Sequence, residues 1–511
     1  MISSISPRAW YFGKLTVILL SILLTTSYLI SHSFSSTPSV KDLYALTTKG
    51  KKALFIENFL STEIDGPFDN KTLVALCNAA KWQPGLIFEC EVAAEGVVNV
   101  RNVILNCVRY TILAGATSFI LPTLLTTTTP PTTLLMSHLF DSTHFTAALT
   151  SSCPQITLIP NKNDLYNLPS TAHPIALSPT SISTSPLLLS SILTSPQTWP
   201  ADLAVHINKT HPSPFSPQKP LLITLQTPLL EFPLSYDEKD LVSNFGKLIR
   251  PNEDIRRVAA AVLFALYEKY RLDLVFSPSG GVQAAKFMGV HLRVGKDAEK
   301  AGWTSAEVQT SNALSLAATS ELGLIYLSSF DPELFVTTAP ISSIPPAAAR
   351  PNSNSSTQQS PPPPPTTETA TSLLSGPLAP GTFLPPPTPG FESEWAALRA
   401  LEWQQALLVD YEVLLRSSIF AGTWESSFSW NVALRRSLVG GNGGKEGSWE
   451  GVGNGNGKGV VVEKVGRDGV GKGKGRRGKK GKVGEVCWKD ERSTVFGPGG
   501  EGGRVRGALW G

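Results

Sequence analysis

The chain has 511 residues, of which 41% are apolar and 16% charged, with 40 prolines and a formal net charge of +4. The apolar content allows a sizeable core, and the length suits two domains with spacers better than one domain. A net charge this close to balance gives no reason to expect a nucleic-acid partner.

The N-terminal region predicts a membrane anchor. An apolar span, Leu15–Ile30, follows Arg8 and Lys14, and aromatic residues stand at its near edge. A cleaved signal peptide is the alternative, but no small-x-small cleavage site follows the span. Basic residues before the span predict a single-pass protein whose body lies in the lumen of the secretory pathway, in the Golgi.

The glycosylation sequons and the cysteines agree with a luminal body. The sequons begin at Asn70, Asn208 and Asn354, and the cysteines are Cys77, Cys90, Cys107, Cys153 and Cys487. Five is an odd number, so at least one cysteine stays outside intramolecular pairs. One or two disulfides are expected, and their pairing stays open. No cysteine–histidine spacing suggests zinc, and no metal is expected.

From about residue 82 the chain alternates strand and helix patterns, which favours a parallel, doubly wound sheet. The runs 85–90 and 117–122 predict two strands around a helix over 98–116, a βαβ unit. A helix is also predicted over 251–270, with a proline in its first turn and acidic residues after it. Further strands are predicted over 153–160, 220–234, 287–290 and 324–330, and a further helix over 311–323.

The pattern changes twice in the last third of the chain. Residues 337–390 are proline-rich and predict a disordered insertion. After it, residues 392–418 predict a helix, and residues 419–436 predict a strand, a turn and a helix. Residues 440–482 are rich in Gly and Lys and predict disorder, and the chain is expected to rejoin the fold from 483 onward.

Three predicted strand ends carry candidate ligand-binding residues, because ligands of open α/β sheets bind beyond the carboxyl ends of the strands. The first is Glu95–Asn99, which offers backbone N–H groups at a helix start. The second is His291–Arg293, followed by Asp297. Alternation puts its histidine and arginine on one side, and arginine binds phosphate with two parallel N–H groups. The third is Thr423–Phe428, whose hydroxyls suit an anion. Each stretch alone also fits an ordinary loop, a surface pair or a serine N-cap.

All three stretches occur, in this order, in the GDP-fucose protein O-fucosyltransferase superfamily, which the chain resembles. The closest likeness is to uncharacterised fungal members, whose GLIF…GGxGNxRNxxLNCxRYAIEAGATxxxLP is similar to GLIFECEVAAEGVVNVRNVILNCVRYTILAGATSFILP here. The chain also has GVHLR after an apolar strand, SNFGKLIRPNEDIRRVAA, and RSSIFAGTWESSFSWNVAL against the family's RSSxFAGxxxSSFxWNxAL. The likeness covers roughly residues 82–335 and 392–440.

The resemblance implies an α/β fold of the GT-B type, in which two Rossmann-like domains face a cleft. It implies a GDP-fucose or other GDP-sugar donor, no cofactor and no required metal, and transfer of the sugar to a protein or glycan hydroxyl. By motif, Arg293 contacts the donor diphosphate and His291 is its partner. The other donor-site residues that the resemblance implies are Asn99 and Gly96 of the loop, Asp297, and the phosphate-binding group Ser426, Ser427 and Phe428.

With this resemblance the chain divides into nine predicted segments. They are a cytosolic tail (1–14), a transmembrane anchor (15–30), a stem (31–81), an N-terminal Rossmann-like domain (82–235), the first part of a C-terminal Rossmann-like domain (236–336), the disordered insertion (337–390), the second part of the C-terminal domain (391–439), the disordered Gly/Lys-rich segment (440–482) and a C-terminal end (483–511).

The chain also departs from the family pattern. Glu95 and Val98 stand where glycines are usual, and Val294–Asp297 replaces the usual Thr-Glu-x-Asp. Glu95, Asp297 and Glu425 are the candidates for a general base. Two alternatives therefore stay open. One is a non-catalytic relative that binds a glycan or partner through the same cleft, and the other is a membrane-tethered interaction protein with a basic segment.

Overall fold

The computed structural model describes residues 47–92, 96–125, 132–165, 167–184, 187–189, 192–226, 230–272, 274, 286–329, 365–370, 373, 388–438, 484–497 and 509–511. The chain divides into a unit that ends at Glu57 and a body that begins at Asn58. The predicted cytosolic tail, the predicted anchor and the Gly/Lys-rich segment lie outside the described residues. Within the described part of the chain, no helix is both long and apolar enough to span a membrane.

The described elements alternate between strands and helices. The strands are β1 (Gln83–Cys90), β2 (Ala116–Ile120), β3 (Thr123–Leu125), β4 (Thr133–Leu135), β5 (Thr157–Ile159), β6 (Ile175–Leu177), β7 (Leu187–Leu189), β8 (Ile192–Leu193), β9 (Leu221–Leu225), β10 (Met288–Leu292), β11 (Leu324–Ser329), β12 (Thr366–Glu368), β13 (Ile419–Thr423), β14 (Val486–Lys489) and β15 (Ser493–Phe496). The α-helices are α1 (Thr48–Leu60), α2 (Lys71–Ala79), α3 (Val97–Ala114), α4 (Ser142–Ser152), α5 (Trp199–Thr210), α6 (Lys239–Phe245), α7 (Glu253–Tyr270), α8 (Lys296–Lys300), α9 (Ala306–Thr319), α10 (Glu392–Ala400), α11 (Trp403–Leu415) and α12 (Ser427–Ser437).

The first sheet has the strand order β5-β2-β1-β9-β6, and all of its pairs are parallel. At its centre lies the predicted βαβ unit, in which α3 connects β1 to β2 and Ile87 lies opposite Ser118. Phe88 of β1 and Ile104 of α3 are completely buried, so the helix packs its apolar side into the core. The prediction of a parallel α/β sheet is confirmed here.

The second sheet has the order β12-β11-β10-β13-β15-β14 and is parallel except for the β14–β15 pair. Its central strand β10 pairs Met288 with Ile325 on one side and with Ile419 on the other. The strand predicted over 287–290 is longer than expected, because β10 continues to Leu292. His291 is therefore part of this buried strand and does not follow it. Strand β15 returns the chain to the sheet beside β13, as expected for residues after 483.

Part of the insertion that was predicted to be disordered forms a strand. β12 pairs in parallel with β11, and the carboxylate of Glu368 accepts hydrogen bonds from Lys269 (2.5 Å) and from the hydroxyl of Tyr270. Disorder over 337–390 is therefore a wrong prediction at residues 366–368. The Thr-Thr-Glu triplet is ordered because it pairs with the edge of β11 and because its glutamate forms an ion pair with Lys269. Local proline content does not reveal partners that are distant in sequence.

Two predicted elements are shorter than expected. The predicted helix over 392–418 is split into α10 and α11, because a capping box starts a new helix at Glu402. The Glu402 side chain accepts a backbone N–H of the first turn of α11, and the side chain of Gln405 accepts the Glu402 N–H at 3.0 Å. The predicted strand over 220–234 ends at Leu225. Beyond it, Pro233 has no N–H for a ladder, and the chain leaves the sheet.

Two disulfides stabilise the body. One joins Cys77 to Cys153 and the other joins Cys90 to Cys107, while Cys487 keeps its thiol. One or two disulfides were expected, and the structure supplies the pairing. Cys77 and Leu73 of α2 are buried, so α2 belongs to the body, although the sequence predicted it to be part of a stem over 31–81. The apolar residues of this short helix pack into the body, and the sequence pattern of the helix alone does not reveal that contact.

Loss of the Cys77–Cys153 disulfide is expected to lower the free energy of unfolding by about 4 kcal/mol, because a bond across 76 residues strongly restricts the unfolded chain. The test is urea unfolding of a Cys77→Ala/Cys153→Ala double variant. A Cys487→Ala variant is the control, since it removes a cysteine without removing a disulfide. An equal, small change in both variants would contradict the assigned pairing.

Candidate functional site

A cavity of about 360 Å³ lies where elements of the two sheets meet. The start of α3 lines one wall, and the other wall is built from the end of β10 and from residues that follow β13. Both β10 and β13 therefore deliver residues from their carboxyl ends, the position at which parallel α/β sheets bind ligands. The volume lies in the range of small-molecule sites.

The structure brings together the residues selected from sequence, with one exception. The selected residues that line the cavity are Gly96, Asn99, His291, Arg293, Ser426, Ser427 and Phe428. Asp297 does not line it, because its side chain is 65% exposed and forms an ion pair with Arg293 at the rim. Asp297 thus lies next to the cavity through its contact with Arg293, and its role, like the roles of the others, remains a prediction.

His291 is buried and electrically neutral. Its Nδ1 lies 2.8 Å from the hydroxyl of Ser429, and its ring packs against Phe428 with centroids 4.5 Å apart. Burial, together with the charge of Arg293, lowers the pKa of His291 to about 3. His291 therefore serves the cavity as a hydrogen-bonding group and not as a positive charge.

The surroundings of Ser429 set the tautomer of His291. The Ser429 hydroxyl already accepts the backbone N–H of Thr423 at 3.1 Å, so its own proton needs an acceptor, and Nδ1 of His291 lies within reach. This arrangement leaves the ring proton on Nε2, which then acts as a donor. Gly422 makes it possible, because a Cβ there would lie 2.6 Å from the Ser429 side chain.

Arg293 is held by its main chain and by its side chain. The side chain of Gln309 accepts the Arg293 N–H at 2.9 Å and donates to the Arg293 carbonyl at 3.1 Å. The guanidinium lies 5.4 Å from the ring centroid of Trp303 and donates to both carboxylate oxygens of Asp297. Arg293 lowers the pKa of the Asp297 carboxyl, so a bound anion competes with a charged Asp297 for this arginine.

Two helices begin at the cavity. Val97 and Val98 of the first turn of α3 line it, and no side chain caps this helix at Gly96. On the opposite wall α12 begins after Ser426, whose hydroxyl accepts the N–H of Ser429. Of the two alternatives for this stretch, the serine cap is observed, and the binding role remains a prediction. Two helix N-termini facing one cavity favour a negatively charged ligand.

The general-base candidates from sequence find little support. Glu95 lies outside the described residues, and Asp297 is engaged with Arg293. The carboxylate of Glu425 lines the cavity, but it accepts the backbone N–H of Thr304 at 2.7 Å and hydroxyl protons from Thr304 and Thr423. Glu425 thus connects the loop between α8 and α9 to the end of β13, which is a structural role.

Several lining residues were not selected from sequence. They are Asn102, Glu231, Trp303, Trp403, Leu407 and Leu509. Asn102 had a detectable signal, because it lies one helical turn after Asn99 on the same face of α3. Glu231 lay inside the strand predicted over 220–234, which ends at Leu225, and nothing in that pattern marked it as a site residue. Leu509 had no signal, since no strand or helix pattern includes it. Among the described residues, no group of three His, Cys, Asp or Glu side chains is arranged to hold a metal ion.

The neutral state of His291 predicts a stability that depends on pH. The folded pKa of about 3 lies below the ordinary 6.5, so the unfolded chain takes up the proton first as the pH falls. Stability is therefore lost between pH 6.5 and pH 3. Between pH 7 and pH 5 the free energy of unfolding should fall by about 2 kcal/mol more in the unaltered chain than in His291→Gln. Urea titrations at both pH values measure this, and parallel pH slopes would contradict the buried neutral histidine.

No family model matches the chain, and no curated protein matches it. A search of solved structures matches the chain to POFUT1 in complex with GDP-fucose, with a TM-score of 0.38 and 11% identity over 71% of this chain and 97% of that chain. POFUT1 in complex with GDP has a TM-score of 0.37, with 10% identity over 71% of this chain and 97% of that chain. A variant of Arabidopsis thaliana FUT1 in complex with GDP has a TM-score of 0.30, with 10% identity over 76% of this chain and 77% of that chain. Similarities of this size do not identify an activity, so the function is argued from the chain's own residues.

Proposed function

We propose that the chain is a glycosyltransferase of the GT-B type that takes GDP-fucose, or another GDP-sugar, in the cavity between its two sheets. The observation that carries the proposal is the convergence of Arg293, His291 and the N-termini of α3 and α12 on one cavity. These groups all favour negative charge, and a nucleoside diphosphate brings negative charge. The motifs shared with O-fucosyltransferases point to the same donor.

The proposed chemistry is departure of the diphosphate from the sugar. Breaking the bond between the anomeric carbon and the phosphate oxygen leaves negative charge on the diphosphate and positive charge on the ring. Arg293 and the N–H groups at the start of α12 are fixed in place before this charge develops, so they stabilise it without reorganisation. The acceptor hydroxyl then bonds to the anomeric carbon and gives up its proton to a base.

Glu231 is the residue that we assign to this proton, because its carboxylate is buried and lines the cavity. We expect Glu231→Gln to lower sugar transfer by about a hundredfold or more while GDP binds as before, since a general base contributes on that scale. Transfer assays and GDP titrations on the same preparation measure the two effects. Unchanged transfer would remove Glu231 from this role. Glu253→Gln, an exposed carboxylate of α7 outside the cavity, is the control that should leave both transfer and GDP binding unchanged.

A luminal setting with an anchor over residues 15–30 is part of the proposal. The two disulfides support an oxidising compartment, and Asn208 of the second sequon is exposed near the end of α5. The acceptor would be a protein or a glycan in the same compartment. A protease-protection assay on intact vesicles tests the orientation, because a luminal body resists digestion until detergent is added.

A non-catalytic relative that binds through the same cavity is the second candidate, and one observation favours it. Val98 lines the cavity at a position where the family has glycine. Its side chain therefore takes up space in the cavity that a glycine would leave open to the donor. Such a protein would bind GDP-sugar or glycan without turnover.

The proposal is tested by calorimetric titration of the full chain with GDP, GDP-fucose and, as a control, adenosine diphosphate. Saturable binding of both guanosine ligands, followed by release of GDP from GDP-fucose, supports a transferase. Binding without release supports the non-catalytic candidate. A folded chain that binds neither guanosine ligand would overturn the donor site.

A further inference from the structure

The segment Leu509–Gly511, here named the LWG segment, is buried beside the cavity although no strand or helix includes it. Trp510 is completely buried, and Leu509 lines the cavity itself. A tryptophan at the end of a Gly-rich stretch would ordinarily stay in solvent. Its complete burial shows that the rest of the fold supplies a site of matching shape.

Polar groups of this site recognise both the backbone and the indole. The N–H of Trp510 donates to Asn102 Oδ1 at 3.0 Å, and its indole N–H donates to Asn106 Oδ1 at 2.6 Å. Its carbonyl oxygen accepts from Arg101 at 2.9 Å and from Asn431 at 2.6 Å. Because every polar group of the tryptophan has a partner, its burial leaves none unsatisfied.

The site also selects residue size. The indole packs against Phe245 with ring centroids 4.4 Å apart and lies parallel to Phe232 at 6.5 Å. Gly246 makes room for the carbonyl of Gly511, since a Cβ on Gly246 would lie 1.7 Å from that oxygen. A Cβ on Gly511 would approach a methyl group of Leu438 at 2.8 Å. The site therefore accepts a large aromatic residue, and glycine fits after it without any shift of the Leu438 side chain.

The buried guanidinium of Arg101 depends on the segment. Arg101 donates to the carbonyls of Ile249 (3.3 Å) and Gly246 (2.5 Å) and to those of Trp510 (2.9 Å) and Gly511 (3.0 Å). Removal of the segment would take away two of these acceptors and leave a buried cation partly unsatisfied. Arg101 is therefore better satisfied when the LWG segment fills the site than when the site is empty.

We propose that Arg101, Asn102, Asn106 and Asn431 form a binding site for a Trp-Gly peptide, which the chain's own LWG segment fills. Arg101, Asn102 and Asn106 belong to α3 and Asn431 belongs to α12, the two helices that begin at opposite walls of the cavity. The occupied site therefore holds the two walls at a fixed separation. This second statement rests on the proposed function, because it concerns the donor cavity.

Rescue by a peptide in trans tests the site. The probes are the octapeptide RVRGALWG, which matches residues 504–511, and the same peptide with alanine in place of tryptophan. Full-length Trp510→Ala, which removes the indole and leaves the segment only its backbone contacts, should bind the first peptide at least about a hundredfold more tightly than the second, the scale expected for a buried tryptophan. The unaltered chain, whose site is filled, should bind neither, and Trp403→Ala is the matched control that should also bind neither. A folded Trp510→Ala that shows no preference between the peptides would overturn the proposal.

Two further measurements keep the test decisive. If Trp510→Ala does not fold, Trp510→Phe keeps a ring but loses the bond to Asn106, and the octapeptide should displace its segment. In the unaltered chain, the Trp510 amide should exchange hydrogen at least about tenfold more slowly than in the free octapeptide, as expected for a buried bonded amide, and equal exchange would overturn the site. Because the occupied site fixes the two walls of the cavity, Trp510→Ala should bind GDP more weakly, and the octapeptide should restore the affinity for GDP. Failure of the unaltered chain to bind GDP would count against the donor proposal alone, since peptide binding needs no nucleotide.

Discussion

Arg293→Ala is expected to weaken GDP binding about thirtyfold or more, because truncating a charged partner of a phosphate costs about 2 kcal/mol or more. Turnover of GDP-fucose should suffer further, by about 3 kcal/mol in barrier, if the guanidinium stabilises the departing diphosphate. The unfolding free energy should change little, because the pair with Asp297 is exposed at the rim. Calorimetry and GDP release on the same variant measure these effects.

Two controls separate a donor-binding role from general damage. Arg257→Ala removes an exposed arginine of α7 that pairs with Glu253, and it should leave GDP binding unchanged. Asp297→Asn removes the carboxylate that competes for Arg293, so GDP affinity should rise several-fold in that variant. Loss of GDP affinity in Asp297→Asn would show that the carboxylate holds Arg293 in its binding position.

The parts of the fold that follow from local pattern were predictable. The βαβ unit was visible because Gly115 ends α3 with a φ of 69°, a left-handed conformation that glycine favours, and apolar runs of strand length flank the helix. The strand, turn and helix around Ser426 were also predicted, over residues 419–436. His291 and Arg293 came from motif context, and the structure places both at the end of β10 beside the cavity.

The other parts depend on contacts between residues that are distant in sequence. Strand β12 forms because it pairs with the edge of β11 and because Lys269 and Tyr270 donate hydrogen bonds to its Glu368. The proline-rich composition around β12 reveals neither contact. Glu231 reaches the cavity from residues that the sequence predicted to be a strand. It does so because Asn106 and Tyr110 of α3 donate hydrogen bonds to the carbonyls of Leu230 and Glu231. Local propensity contains no information about either event.

Replacing Asp237 with alanine is expected to cost about 3–5 kcal/mol of unfolding free energy, the usual result of leaving a buried charge without its partner. Asp237 accepts two hydrogen bonds from Arg109, at 2.7 and 2.5 Å, and both side chains are at most 3% exposed. The Arg109 guanidinium lies 4.6 Å from the ring centroid of Phe232, and its Nη1 already has no hydrogen-bond partner among the described residues. Urea unfolding of Asp237→Ala measures the cost.

The exposed pair Arg257–Glu253 provides the matched control, and Glu253→Ala should cost less than about 1 kcal/mol. A double variant, Arg109→Met/Asp237→Leu, should recover most of the loss, because apolar residues of similar volume replace a buried pair with little penalty. The pair connects α3 to the segment that holds Glu231 in the wall of the cavity, so its loss should also loosen that wall. Stability retained in Asp237→Ala would mean that water reaches Arg109. The segment that contains Glu231 would then be mobile, and Glu231 could not be held beside the acceptor hydroxyl as a general base.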